Sequence, residues 1–238
     1  MIKFDKVSKN YGEQTVIYNQ DFIIKDGEFF VMVGPSGCGK STTIKMINRL
    51  VEPSTGDIYM DGKKIKDYPL RELRLSIGYV LQNIALFPNL TVIENIQLIP
   101  EMKGMKKQER MERAKELMAK VGLDFEKYAK RHPLELSGGE MQRVGILRAI
   151  IAHPKILLMD EPFSALDPIA KTQLQDLIKK IHQELKLTII FVTHDMDEAM
   201  KLGDRICVMN KGKVIQLDTP ENIRNNPNNK FIKEFFEI

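Results

Sequence analysis

The segment Gly34-Pro35-Ser36-Gly37-Cys38-Gly39-Lys40-Ser41-Thr42, set directly behind the apolar run Phe29-Phe30-Val31-Met32-Val33, constrains this chain more than any other. It fits the pattern G-x-x-x-x-G-K-[ST], which needs a buried strand before it and a helix after it. The glycines let the backbone curl so that successive N–H groups point inward, and a helix N-terminus adds a dipole that favours negative charge. Lys40 is placed to reach the β- and γ-phosphates of a nucleotide, and the Ser41 hydroxyl to ligate Mg²⁺. The competing reading is a glycine-rich turn with an incidental lysine. The strand-before, helix-after context argues against it.

The rest of the chain is compatible with such a core. Its 238 residues suffice for one large domain or a core carrying an inserted subdomain. Apolar residues make up 43% and charged residues 29%, ordinary for a water-soluble globular protein. The net charge of +4 is too mild and dispersed to indicate a nucleic-acid partner. Basic residues at 103, 106, 107, 110 and 113 are interleaved with Glu109, Glu112 and Glu116, the pattern of a solvated helix face. The two cysteines, Cys38 and Cys207, fit neither a disulfide framework nor a metal-ligand spacing, which suits a reducing, intracellular setting. Cys38 is expected to be an inert small residue of the loop. No apolar stretch approaches the length needed to span a bilayer, and Met1-Ile2-Lys3-Phe4-Asp5 does not open a signal peptide. The expected location is therefore cytosolic, with any membrane association made through a partner.

Hydropathy then divides the chain. Residues 2–33 alternate apolar and polar between turn signals at Asn10-Tyr11-Gly12 and Asp26-Gly27, which predicts short strands, partly antiparallel. A helix is expected from about Lys40 to Leu50, then strands at Asp57–Met60 and Ile77–Leu81. Residues 83–150 read as a mostly helical insert, with helical periodicity over Gln108–Val121. Continuous apolar runs return at Ile156–Met159, Thr188–Val192 and Arg205–Met209, the first two separated by a helix over about 169–185. They indicate an α/β sheet covered on both faces. Asn222–Asn229 is expected to be a loop before a short terminal helix.

Two further segments carry chemistry. Ile156-Leu157-Leu158-Met159-Asp160-Glu161 is a buried strand ending in adjacent carboxylates, at the edge where ligands sit in open α/β sheets. Alternation along a strand would turn Asp160 toward Mg²⁺ and Glu161 toward an attacking water. An acidic strand-end cap is the alternative reading. Leu136-Ser137-Gly138-Gly139-Glu140-Met141-Gln142-Arg143 opens a helix with apolar positions Val144, Leu147 and Ile151, a second N-terminus suited to a phosphate. Ordinary helix capping by Ser137 is the alternative there.

The phosphate loop, Gln82, Leu136–Glu140, Asp160-Glu161, Ser164-Ala165-Leu166-Asp167 and His194, in this order and spacing, resemble the ATP-binding cassette (ABC) ATPases over essentially the whole chain. The resemblance implies an α/β P-loop NTPase fold spanning residues 1–238. It would comprise a RecA-like parallel-sheet core, an N-terminal antiparallel β subdomain and a helical signature subdomain over about 83–150. It also implies a head-to-tail homodimer with two ATP molecules, each with Mg²⁺, between the subunits. Tyr11 matches the family's adenine-stacking aromatic, with Val16 beside it. Residues Gly34, Pro35, Ser36, Gly37, Cys38, Gly39, Lys40, Ser41 and Thr42 would bind the phosphates, Ser41 and Asp160 the metal, and Gln82 would touch the metal or the attacking water and sense the γ-phosphate. Glu161 would be the general base and His194 would hydrogen-bond the γ-phosphate. Ser137, Gly138, Gly139 and Glu140 would come from the partner, with Asp167 near the seam. The family's usual signature carries Gln where this chain has Glu140, which leaves that side chain's part across the interface open.

The same resemblance narrows the role. Leu81–Val92 is similar to the importer-type region where the helical insert grips a permease, with Phe87 and Leu90 as candidate contacts or, equally, core residues of the insert. Lys45–Leu50 and Met159–Pro168 look like the branch importing osmoprotectants and other quaternary amines such as glycine betaine, carnitine and choline. The implied partners are a second ATPase subunit, an integral membrane permease and, through it, an extracytoplasmic substrate-binding protein, with the chain peripheral on the cytoplasmic membrane face. The alternatives are an importer of polar amino acids, an exporter or lipid-extraction transporter, and a soluble ABC ATPase outside transport. With the chain ending at Ile238, the C-terminal regulatory extension of many members of that branch is not expected, nor is osmotic gating by this subunit.

Overall fold

Alternating burial builds the first strands, and continuous burial builds the later ones. The computed structural model describes residues 1–235. In chain order the elements are β1 (Ile2–Tyr11), β2 (Gln14–Ile24), β3 (Phe29–Val33), α1 (Lys40–Ile47), β4 (Thr55–Met60), β5 (Lys63–Lys64), α2 (Leu70–Ser76) and β6 (Ile77–Val80). There follow α3 (Val92–Met102), α4 (Lys107–Lys120), α5 (Phe125–Tyr128), α6 (Gly138–Ile150), β7 (Ile156–Asp160) and α7 (Pro168–Leu185). The last are β8 (Thr188–Thr193), α8 (Met196–Leu202), β9 (Arg205–Asn210), β10 (Lys213–Asp218), α9 (Pro220–Asn225) and α10 (Lys230–Phe235). They fall into two units, residues 1–74 with those from 182 onward, and residues 75–181.

In the first unit β1 lies between β2 and β4, antiparallel to both, with β5 beyond β4. Phe4 faces Phe22 across the β1–β2 ladder, their rings stack at 4.5 Å between centroids, and Phe22 stacks in turn on Phe30 of β3 at 5.6 Å. Each of these buried aromatics contributes roughly 1.5–3 kcal/mol through the surface it removes from water, so this stack is a main tie between the antiparallel strands and β3. All five residues of β3 are buried, between β8 and β9, both parallel to it. A parallel strand covered on both faces needs apolar side chains throughout, which is why Phe29–Val33 and Thr188–Thr193 read as unbroken runs. The α1 helix packs on β8, and α8 on β3 and β8.

Sequence patterning did not anticipate β10, an antiparallel edge strand joined to β9 by Lys211 and Gly212. Both of those residues have positive φ (46° and 78°), the signature of a two-residue type I′ turn. The turn's tip ties elements together: the Gly212 N–H donates to the Cys38 carbonyl at 3.0 Å, and the Gly212 carbonyl accepts from the Tyr18 N–H at 2.9 Å. The loop expected at Asn222–Asn229 is in part helical. Thr219 caps α9, accepting from the Asn222 N–H, and Pro220 supplies the first helical φ. The helix after the phosphate loop ends at Ile47, earlier than the expected Leu50, because Asn48 caps it and Arg49 turns to φ 55°.

In the second unit β6 and β7 are parallel, and α6 packs against β6. The α3 helix packs on α4 and α6. Val92, Ile96, Leu117, Met118, Val144 and Leu147 form the buried interior. Among the described residues no helix is long and apolar enough to cross a membrane.

Candidate functional site

Gly39 is where the phosphate loop becomes a helix. Its φ of 103° is open to glycine, and a Cβ there would lie 2.4 Å from Ile17 Cδ1. Gly34, at φ 157°, sits so close to β9 that a Cβ would meet the Met209 carbonyl oxygen at 2.1 Å. These approaches explain why glycine occupies both positions. No side chain caps α1, so the N–H groups of its first turn face the loop and suit an anion. The Lys40 side chain is folded inside: Nζ donates to the Gly34 carbonyl at 2.6 Å and the Pro35 carbonyl at 3.1 Å, and the residue is 4% exposed. Thr43 braces the helix start, accepting from Gln20 Nε2 at 3.0 Å and donating to the Gly39 carbonyl at 3.1 Å. Cys38 is buried, as is Cys207, whose thiol burial pushes up to about 12. Such a thiol is inert at neutral pH.

Elsewhere in the same unit Tyr11 is 51% exposed at the end of β1, with the Lys9 ammonium 5.0 Å from its ring centroid, and Val16 is half-buried on β2. His194 is exposed at the junction of β8 and α8. Hydrogen bonds brace that junction: Asp195 Oδ1 accepts from the N–H groups of Asp197 and Glu198, and Thr193 donates to Glu198 Oε2 at 2.6 Å.

The second unit holds the carboxylates. Asp160 ends β7 at 4% exposure, 3.5 Å from the Tyr79 hydroxyl. Burial, and then the charge of Asp160, raises the Tyr79 pKa well above that of an ordinary phenol, so it stays protonated and able to donate. Glu161 lies beyond the strand at φ 45°, and its carbonyl accepts from Ser164 Oγ at 3.1 Å. Glu161 thus lies outside β7, so strand alternation is not what sets its direction relative to Asp160. A left-handed turn aims Glu161, at a cost of about 1–3 kcal/mol for a non-glycine residue. Its Oε2 lies 3.5 Å from Gln82 Nε2, which brings together two of the residues singled out in the sequence.

Ser137 caps α6 in a reciprocal capping box. Its hydroxyl oxygen accepts from the Glu140 N–H at 3.3 Å, while Glu140 Oε2 accepts from the Ser137 N–H at 2.8 Å and hydroxyl at 2.9 Å. Glu140 Oε1 accepts from the Tyr128 hydroxyl at 2.6 Å. That bond above all, with the Ser137 donors and the Arg131 charge, holds the Glu140 carboxyl below the usual range. Gly138 and Gly139 make the first turn of α6. Asp167 Oδ1 accepts from the N–H groups of Ile169 and Ala170, capping α7.

Two residues that the motifs did not reveal organise this unit. Tyr128 is one. Asn95 is the other: fully buried, it accepts from the Phe87 N–H and donates to the carbonyls of Phe87, Leu90 and Thr91, all at 2.8–3.1 Å. It thereby fixes the loop that carries Phe87, itself 50% exposed. The signal available in the sequence was an asparagine within the apolar stripe of α3, beside Val92 and Ile96.

The ABC transporter family profile matches residues 17–164. The chain is 50% identical over 236 residues to the choline transport ATP-binding protein OpuBA of Bacillus subtilis (strain 168), covering 99% of this chain and 62% of that protein. It thus spans less than two thirds of that relative. It is 44% identical to the glycine betaine uptake system ATP-binding protein YehX of Escherichia coli (strain K12), over 99% of this chain and 76% of that one. Among solved structures, the dimeric post-hydrolysis state of the ATP-binding cassette MJ0796 bound to ADP and Pi superposes with a TM-score of 0.83 at 37% identity, over 92% of this chain and 99% of that one. Profile, near-full-length identity and fold agree, and the chain belongs to the ABC transporter family.

Proposed function

We propose that this chain is the ATP-hydrolysing motor subunit of a membrane importer for osmoprotectants or related quaternary amines. Two copies would clasp two ATP molecules head to tail. The observation that carries the reading is the Lys40 ammonium, buried in a glycine-lined loop with backbone carbonyls as its hydrogen-bond partners, at a helix start that no side chain caps. A triphosphate would replace those carbonyls with phosphate oxygens and take up the N–H groups of the first turn. The names of the choline and glycine betaine relatives, and the ADP and Pi held by the dimeric cassette, support the nucleotide, the pairing and the substrate class.

Roles follow for the chain's own side chains. Glu161 would accept a proton from the water attacking the γ-phosphate, with Gln82 steadying its carboxylate. Tyr11 would stack on the base and His194 would hydrogen-bond the γ-phosphate. The first turn of α6, from Ser137 to Glu140, would meet the partner's triphosphate. Ser41, Gln82 and Asp160 offer hard oxygen donors that suit Mg²⁺, which takes few protein ligands and rides on phosphate oxygens. When bound, the ion neutralises charge on the transferred phosphoryl group. Residues 83–150 would form the helical signature subdomain that meets a permease, with Phe87 on its docking face and the chain peripheral on the cytoplasmic membrane side. An extracytoplasmic binding protein would deliver the substrate, and nucleic acid has no part.

The test is the ATPase rate of the full chain as a function of its own concentration. The clasped arrangement predicts a rise steeper than linear at low concentration. Strict proportionality at dilutions where single chains prevail would overturn it.

A further inference from the structure

A carboxylate stands where this reading brings a triphosphate. Glu140 sits in the first turn of α6, and an anion there competes with phosphate for the same N–H groups and the same dipole. The structure shows how that competition is contained. Glu140 Oε1 is taken by the Tyr128 hydroxyl at 2.6 Å, a short charge-assisted bond, and Tyr128 is the last residue of α5. The carboxylate is thereby drawn toward the end of α5. There the Tyr128 ring carries the Arg131 guanidinium at 4.9 Å and the Lys127 ammonium at 5.1 Å from its centroid. The other oxygen, Oε2, accepts two bonds from Ser137. An ionised carboxylate donates nothing, so the Ser137 hydroxyl proton must point at Glu140, while the Ser137 oxygen accepts from the Glu140 N–H.

We infer that Tyr128 is a positioning residue for the phosphate contact of Ser137, acting through Glu140. By holding Oε1, the phenol keeps the carboxylate fixed and partly neutralised. The Ser137 proton can then swing from Oε2 to an incoming phosphate oxygen while Glu140 keeps the Tyr128 hydroxyl and the Ser137 N–H. Without the phenol hydroxyl the carboxylate loses its strongest donor, moves, and confronts the phosphate with more of its charge. The inference rests on the proposal that a partner's triphosphate docks at this turn.

The test is a double-mutant cycle on the full chain: wild type, Tyr128→Phe, Glu140→Ala and the pair. Each is assayed for kcat, half-saturating ATP and the protein concentration giving half-maximal specific activity. Tyr128→Phe is expected to raise both half-saturating values about three- to tenfold, the size of one charge-assisted hydrogen bond partly shared with solvent, with kcat within about twofold. In the Glu140→Ala background the same substitution should do nothing. An equal effect in both backgrounds marks a purely structural tyrosine and overturns the inference, as does no effect in the wild type. A carboxyl-carbon NMR titration reads the link without ATP: Tyr128→Phe should move the Glu140 pKa up toward its ordinary 4.5. No movement overturns the inference. A wild type whose rate is merely proportional to concentration sinks the clasped dimer and this inference with it. A cooperative wild type with a silent Tyr128→Phe sinks this inference alone.

Discussion

Gln82 Nε2 lies 3.5 Å from Glu161 Oε2, so the carboxamide after β6 and the carboxylate after β7 reach one another within a single unit. β6 and β7 run parallel, with Val80 level with Met159, so both side chains emerge at the same end of the pair. The left-handed turn at Glu161 then brings its carboxylate within reach of Gln82.

Glu161→Gln is expected to keep nucleotide binding and lower the turnover rate about 10²–10⁴-fold, the usual worth of a general base. Sizing chromatography with MgATP should show the variant accumulating as a dimer. Wild-type turnover would refute the assignment of Glu161 as base.

Lys40→Ala removes the ammonium that now donates to the Gly34 and Pro35 carbonyls. Affinity for a fluorescent ATP analogue should fall about 10- to 100-fold, since hydrogen bonds to charged groups contribute most of what one side chain can add. Unchanged affinity would show that the loop does not receive phosphate.

Asn95→Ala removes the amide donor that the carbonyls of Phe87, Leu90 and Thr91 share, and the acceptor of the Phe87 N–H. Urea denaturation should show a loss of about 1–3 kcal/mol, from the lost hydrogen bonds and the space left by a fully buried side chain. Protease cleavage within residues 85–91 should also quicken, because the asparagine is what ties that loop to α3.

Two capping boxes should respond to acid. Glu140 is held below its ordinary value first by Tyr128, and Glu94 is held below its own by the backbone and hydroxyl of Thr91. Groups with depressed folded values contribute stability above their unfolded value of 4.5, and that contribution is lost as pH falls through the lower folded value. Amide NMR shifts of Glu140 and Glu94, followed from about pH 5 to about pH 3, should move with apparent midpoints below 4.5. Midpoints at or above that value would contradict the capping geometry.

Much of this protein was legible in one dimension because its demands are local. The stretch from Phe29 to Thr42 specifies a buried strand, a curled loop and a helix start through burial, glycine geometry and the dipole, all within fifteen residues. The unbroken apolar runs of β7, β8 and β9 announced parallel strands covered on both faces. Folding alone decided the rest, because it depends on which distant groups meet. Glu161 leaves its strand in a left-handed turn instead of alternating with Asp160. Gly212 ties β2 to the phosphate loop across more than a hundred residues. Tyr128 reaches Glu140 from a separate helix, and Asn95 turns a polar side chain inward to hold a loop. Hydrogen bonds of this kind have no period in the sequence, since a donor declares its acceptor only once packing has brought the two within about 3 Å.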